Sequence, residues 1–380
     1  MHEVQDMEFL DRLKNVCIIQ RNYFYPEIKF SCYSNVNSVF EYMEEYWHDF
    51  SMEQKDLTAE YRLYHFENAE YLDKYAAALS AVKEFQVIMI HKSGMAVRKY
   101  MFNNKKIYSG INGEFIVVCY DNVICVLTKT RSASYFLRVV REMIFRVSES
   151  RGDVVFHGAA VSYKGKGIYI CGDKSAGKTS TMLNFLYFGS DFIANDRIIL
   201  ANEENGIQMH YVPLAIRIGY GTMGAYSELS EYVNQHELSR PQSDWKTNRE
   251  AEYIGSSIKI EITPGELADI YGNSNIFGAK LQCIMIPSFQ AGETECRFTR
   301  MDAEMAREVL LRNCMTPKDD NWVAPWIVPR VISEQELSRN SSELIDWLVS
   351  NCSVYRFEFG VRNNAVLKLK EFLAAEYADC

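Results

Sequence analysis

An α/β core preceded by a smaller α+β region is the fold class this sequence predicts, and three observations predict it. The first is the glycine-rich run Gly172-Asp173-Lys174-Ser175-Ala176-Gly177-Lys178-Thr179, which matches the phosphate-loop pattern G-x-x-x-x-G-K-[ST]. The second is its context. A short apolar run of buried-strand type, Gly167 to Cys171, precedes it, and a run suited to a helix, Thr181 to Phe188, follows, with Gly189 where a helix C-terminal glycine belongs. The third is a change of period: residues 86–127 read as successive short strands parted by turn signals, a pattern that later residues do not repeat.

In chain order, Ile28 to Tyr33 is strand-like, and Val39 to Phe50 carries apolar and aromatic residues at helical spacing. Tyr71 to Phe85 suits a second helix. Strands then follow at Gln86–Ile90, Ala96–Phe102, Lys106–Ser109, Glu114–Tyr120 and Val123–Leu127, and their short turns argue for an antiparallel meander. The aromatic residues Tyr42, Tyr46 and Trp47 are read as core packing before a peptide-binding surface. Ser132 to Ser148 forms one amphipathic helix that starts on a serine, with Arg138, Arg141 and Arg146 read as a solvated face. It leads directly to the strand bearing His157, so the domain boundary is placed near residue 131: an N-terminal domain over 1–131, then a nucleotide-binding domain over 132–380 with a helical cover at its end.

After the glycine loop, Asp191 to Ala194 is one short apolar strand, and Asn195-Asp196-Arg197 stands at its C-terminal end, where a carboxylate faces phosphates and metal. Gly206 to Ile218 reads as a strand, a turn around Pro213 and a second strand that projects Arg217 near the sheet end, either to brace developing charge or as a surface ion pair. Gly219 to Ser256 has weak periodicity and reads as a long loop with a partial helix, suited to recognising an acceptor. Lys259 to Ile262 and Lys280 to Ile286 are strands. Helices are expected at Ala303–Arg312, Ser333–Val349 and Asn364–Tyr377, with a strand at Ser353–Phe359.

The chemistry of such a loop is binding of phosphates. Successive backbone N–H groups from Gly172 to Ser180, together with the positive end of the following helix, surround the phosphates of ATP or GTP. Lys178 reaches the outer phosphates, and the Thr179 hydroxyl ligates Mg²⁺. His157-Gly158 ends the preceding strand within reach of the same pocket.

Composition narrows the class. Over 380 residues, 48% are hydrophobic and 24% charged, which suits a globular protein. The 50 acidic against 41 basic residues give a net charge of −9, so there is no polyanion footprint and nucleic acid is not an expected partner. The ten cysteines form no C-x-x-C pair and read as reduced thiols of a cytoplasmic protein rather than a disulfide frame or zinc site. No apolar run approaches the roughly 18 residues of a spanning helix, so no membrane partner is expected. A homo-oligomer is neither required nor excluded.

The block from His157 to Asp196 resembles the HPr kinase/phosphorylase family, whose core relates it to phosphoenolpyruvate carboxykinases. In that family a strand carrying His-Gly, a glycine-rich phosphate loop, a helix ending in Gly and an Ala-Asp-Asp step occur in this order. His157-Gly158, Gly172 to Thr179, Gly189 and Ala194-Asn195-Asp196 occupy the matching positions. The resemblance implies a P-loop kinase core of that type, in a divergent member. It also implies ATP (or GTP) with Mg²⁺ and transfer of the γ-phosphoryl group to a hydroxyl of a peptide or small molecule. By the same resemblance Glu261 matches the glutamate of the family's Leu-Glu-Ile-Arg-Gly signature and would join Thr179 and Asp196 near the metal. Asp269 also matches, whereas Thr263 and Pro264 replace the Arg and Gly. The first Asp of the pair, the family's base toward the acceptor, is Asn195 here, and an amide accepts no proton. Three readings follow: Asp196 or His157 serves as base, the chain binds nucleotide as a regulatory or assembly module without transfer, or a carboxylate is activated as an acyl phosphate, which needs no base.

Overall fold

The computed structural model describes residues 13–26, 28–47, 59–91, 95–102, 104–129, 133–240, 258–290, 295–319, 326–360 and 365–376. The chain divides into two units, Met1–Ser150 with Lys318–Val331, and Arg151–Pro317 with Ile332–Cys380. It is a mixed α/β protein with two large sheets. Among the described residues no helix is long and apolar enough to cross a membrane.

The first unit carries β1 (Ile19–Tyr25), β2 (Ile28–Ser34), α1 (Ser38–Trp47), β3 (Tyr61–Glu67), α2 (Ala69–Ser80), β4 (Gln86–His91), β5 (Met95–Phe102), β6 (Lys105–Gly110), β7 (Phe115–Tyr120), β8 (Val123–Thr128) and α3 (Ala133–Ser150). The meander is present: β4 to β8 pair in succession, each antiparallel to the next. The sheet is larger than the meander. Its order is β1-β2-β3-β8-β7-β6-β5-β4, and β3 enters parallel to both β2 and β8. The sequence reading passed over β3 because Leu63, Tyr64, His65 and Phe66 are all buried, and a strand buried on both faces loses its period of two. The aromatic residues of α1 are core. Trp47 is fully buried, with the rings of Tyr23 and Phe30 at 5.8 and 6.1 Å.

Helix α3 belongs to this first unit, not to the second as a boundary near 131 would have it. Nor is its basic side solvated: Arg141 and Arg146 are buried. The cause is a late segment of the chain. Glu149 takes Arg146 at 2.6 Å and both Arg330 Nε and Nη2 at 3.0 Å, while Glu142 accepts the backbone N–H of Trp326. The Trp326 ring stands edge-on to Tyr108 at 5.4 Å. Burial pushes the Glu142 carboxyl above its ordinary range, against the pull of Arg146. Arg330→Ala would leave Glu149 with half its partners in a site where a lost ion pair is expensive. It should cost about 2 kcal/mol of stability, read as a lower denaturant midpoint.

The second unit carries β9 (Val154–Tyr163), β10 (Lys166–Ile170), α4 (Lys178–Tyr187), β11 (Asp191–Glu203), β12 (Gly206–His210), β13 (Ile216–Gly219), α5 (Tyr220–Met223), α6 (Ser227–Gln235), β14 (Lys259–Ile262), α7 (Pro264–Tyr271), β15 (Gly278–Gln290), β16 (Arg297–Arg300), α8 (Ala303–Asn313), α9 (Glu334–Asn351), β17 (Ser353–Gly360) and α10 (Ala365–Glu376). Its main sheet runs β10-β9-β11-β12-β15-β17-β16, and β10 also pairs with β15, so five strands close on themselves. Gly167 of β10 allows that close approach to β15, since a Cβ there would lie 2.7 Å from the Lys280 carbonyl oxygen. Ala306 and Leu310 of α8 and Ile345 and Leu348 of α9 pack with Phe156, Ile198 and Ile284 in one apolar core. Strands β13 and β14 form a separate antiparallel pair.

Strand β11 corrects the reading of Asp191 to Ala194 as a short strand. It runs 13 residues, because Ile198 to Ala201 continue its apolar run and pair on to β9 and β12. Asn195 and Asp196 therefore lie within the strand, not at its end.

Candidate functional site

The glycine loop joins β10 to α4, which begins at Lys178 with Gly177 as its N-cap. Gly177 has φ +99°, and a Cβ there would lie 2.6 Å from the Phe359 ring, so only glycine fits. The loop is fixed from behind by the Phe289 N–H, which donates to the Ala176 carbonyl at 3.0 Å. The Lys178 ammonium curls onto its own loop and donates to the carbonyls of Gly172 (2.8 Å) and Asp173 (2.9 Å). Burial holds its pKa below the ordinary lysine range.

This loop forms one wall of a cleft of about 1070 Å³. Antiparallel register supplies a second wall, with Asp196 opposite Gly158 and Arg197 opposite His157. Asp196 is a non-glycine residue at φ +69°, a conformation that Asp and Asn tolerate best among side-chain-bearing residues and that recurs at functional sites. Its side chain is 41% exposed toward the cleft, whereas Arg197 beside it is 1% exposed. Arg197 Nη1 donates to the Asp196 carbonyl (2.7 Å) and carboxylate (3.2 Å).

The His157 ring fits this network in one tautomer. Its Nδ1 lies 2.8 Å from the Asp196 carbonyl oxygen and 2.9 Å from Arg197 Nη1. With both Nη1 protons directed to Asp196, Nδ1–H donates to the same carbonyl, and Nε2 keeps its lone pair. Burial, and after it the Lys178 charge, holds the ring pKa below the ordinary 6.5, so His157 is neutral at neutral pH. Its own carbonyl accepts from the Tyr169 hydroxyl at 2.9 Å.

Of the residues singled out in the sequence, His157, Lys174, Ser175, Gly177, Lys178, Thr179, Ser180, Asn195, Asp196 and Arg217 line the cleft. Gly172, Asp173 and Ala176 lie in the loop but off that lining. Asp173 instead pairs with Arg312 at 3.4 Å, and the Gly172 N–H is 3.4 Å from Asn313 Oδ1. Glu261 is not among the residues that line the cleft with Thr179 and Asp196. Its carboxylate is taken by Arg217 at 3.4 Å and by Arg240. The described residues hold no group of three His, Cys, Asp or Glu side chains suited to a metal. Thr263 and Pro264, read as replacements in a signature, start α7: Thr263 and Glu266 form a reciprocal capping box with Pro264 at the first helical position.

Five contributors escaped the sequence reading. Arg197 orders Asp196 from below. Tyr226, the N-cap of α6, donates its hydroxyl to the Ser180 carbonyl at 2.9 Å, which ties the segment after β13 to the first turn of α4. Phe289 and Phe359 back the loop, and Lys259 lines the cleft from β14. Of the segment from Gly219 to Ser256 expected to recognise an acceptor, residues 241–256 lie outside the described residues, and the rest forms α5 and α6 on the cleft wall.

The fold and cleft thus define a mixed α/β protein whose strand–glycine-loop–helix unit opens on a cleft with one carboxylate and one imidazole opposite. The chain is similar in structure to the Hpr(Ser) kinase/phosphatase from Coxiella burnetii, at 9% identity and a TM-score of 0.28, over 59% of this chain and 96% of that one. No family model matches the chain, and no curated protein does. A likeness that low leaves the site to be argued from its own residues.

Proposed function

We propose that the cleft binds ATP or GTP through the glycine loop and transfers the γ-phosphoryl group to a hydroxyl of a small molecule or peptide. The observation that carries this reading is the presence of the Lys178 ammonium, the Asp196 carboxylate and the His157 ring on one cleft around the start of α4. The loop amides and Lys178, released from its own loop carbonyls, take the outer phosphates. Thr179 and Asp196 supply hard oxygen donors on the same cleft, a set that suits Mg²⁺ because this ion fills its remaining positions with water and phosphate oxygens. When bound, Mg²⁺ neutralises phosphate charge. Glu261 has no part in that set, because arginines hold it.

In the transfer, the acceptor oxygen forms its bond to Pγ while the bond from Pγ to the β-phosphate oxygen breaks and its electron pair leaves with the nucleoside diphosphate. His157 Nε2 takes the acceptor proton and later returns it to solvent. Asn195 therefore need not act as a base. Positioning and charge do most of the work in such reactions.

The test is direct. Nucleotide at a hundredfold excess over Kd should stabilise the wild-type protein by about 2.7 kcal/mol, a rise in Tm of roughly 5–10 °C. Lys178→Ala should abolish that rise, and an unchanged rise in the variant would sink the assignment. A second reading, a nucleotide-binding module without transfer, is favoured by Asn195 and by Thr263 and Pro264 in place of the signature's Arg and Gly. Incubation with γ-labelled ATP, Mg²⁺ and a size-fractionated extract of the source cells separates the two, with Lys178→Ala as the blank. Label in the peptide or small-molecule fraction supports transfer, and no label with nucleotide still bound supports the module.

A further inference from the structure

Lys259 is a charge in the cleft that the reaction above does not use. It comes from β14, where strand alternation sends Ile260 and Ile262 into the core beside Ile216 and Ile218 of β13, all four fully buried. The opposite face of this two-stranded sheet carries Lys259, Glu261 and Arg217, with Arg217 in register against Glu261. Arg217 and Lys259 both line the cleft. Glu261 is shared between Arg217 and Arg240. Among the described residues the Lys259 ammonium has neither hydrogen bond nor ion pair, and the same holds for Lys174 across the cleft.

The charge balance of the cleft points to a ligand. Among the described residues, Lys174, Lys178, Arg217 and Lys259 line it against two carboxylates, Asp196 and Glu228. Burial, with Arg217 as the next cause, holds the Lys259 pKa below the ordinary lysine range, so these two like charges oppose one another. Lys178 belongs to the glycine loop and meets the nucleotide phosphates there. Lys259 and Arg217 stand on a different element.

We propose that Lys259 and Arg217 form a second anion subsite, separate from the glycine loop, that holds the carboxylate or phosphate of an acceptor carrying its own negative charge. The proposal rests on the reading of the cleft as a phosphotransfer site and narrows its acceptor to anionic hydroxyl compounds. Arg217 offers a planar fork suited to carboxylate or phosphate oxygens, and Lys259 adds a point charge beside it. The same positive wall would draw such an acceptor toward the cleft of a chain whose net charge is −9.

The experiment uses the full chain saturated with a non-hydrolysable ATP analogue and Mg²⁺, so that the glycine loop is filled. Inorganic phosphate and glycerate are then titrated separately by calorimetry. At least one should bind the loaded protein, and which one binds distinguishes a phosphate from a carboxylate source. Lys259→Ala should weaken that anion by tenfold or more, the loss expected for a charge-assisted hydrogen bond, while analogue affinity changes by less than about threefold. Lys259→Arg should restore most of the anion binding, which excludes misfolding as the cause. Failure of both anions to bind the loaded protein overturns the proposal, as does a Lys259→Ala variant that loses the analogue as severely as Lys178→Ala does. If the analogue does not bind wild-type protein, the nucleotide reading fails instead. The anion titration on the unloaded protein then decides the subsite: selective loss in Lys259→Ala upholds it, and equal loss in Lys178→Ala overturns it.

Discussion

Asp196→Asn should lower turnover by at least about 10²-fold while leaving nucleotide affinity within a few-fold of wild type. The substitution is close to isosteric, and asparagine accepts φ +69° as readily as aspartate, so β11 keeps its register against β9. Arg197 retains the backbone carbonyl that it bonds at 2.7 Å, and so does His157 Nδ1 at 2.8 Å. What changes is one negative charge on the cleft wall. On the proposed reading Lys178 and the loop amides would still hold phosphates, so binding should survive. A metal held there would keep a neutral amide oxygen in place of a charged carboxylate, so turnover should not. Steady-state kinetics beside a nucleotide titration give both numbers. Comparable turnover in the variant removes Asp196 from the mechanism, and equal losses of binding and turnover make it a structural residue.

A second large effect is expected from pH, in the first unit. His65 is fully buried, with Nδ1 3.0 Å from Ser34 Oγ, Nε2 3.0 Å from Thr128 Oγ1 and the Phe136 ring edge-on at 5.4 Å. Burial pulls its pKa from 6.5 down to about 4, and no carboxylate offsets it. The folded pKa lies below the unfolded one, so the unfolded chain binds the proton first. Stability from neutral His65 is therefore full above pH 6.5 and is lost as pH falls toward 4. The shift corresponds to about 3 kcal/mol. Buried Glu142, whose carboxyl is raised, acts in the opposite sense, so wild type must be compared with His65→Gln. The variant should show a shallower fall in denaturant midpoint over that window, and identical slopes would exclude His65 as the cause.

The parts of this molecule legible in sequence were those whose cause is local. The glycine loop, its strand and its helix follow from adjacent residues, as do the antiparallel hairpins between Gln86 and Thr128. What escaped notice depends on distant partners. Arg146 reads as a surface residue until Arg330, 181 positions beyond Glu149, is seen to share that carboxylate. Glu261 reads as a metal ligand until Arg240 comes back to it from 21 positions away. Two features were readable and were passed over. The alternation Lys259-Ile260-Glu261-Ile262 already puts Lys259 beside Glu261 on the polar face. Thr263-Pro264-Gly265-Glu266 is a helix start signal, obscured by its reading as a damaged signature.

The segment ending at Arg330 also bears on how the polypeptide is made. The first unit is built from Met1–Ser150 and Lys318–Val331, so it is discontinuous in sequence. As the chain leaves the ribosome, Glu142 and Glu149 emerge about 180 residues before Trp326 and Arg330. At an elongation rate of roughly 5–20 residues per second, α3 waits on the order of ten seconds or more for its covering segment. During that interval two carboxylates and an aromatic pocket around Tyr108 and Phe115 stay uncovered. The second unit is synthesised as far as Pro317 within this gap, and its remainder, Ile332–Cys380, follows. Completion of the N-terminal half is thus timed by translation of the C-terminal half, and a gene truncated between them encodes neither unit in full.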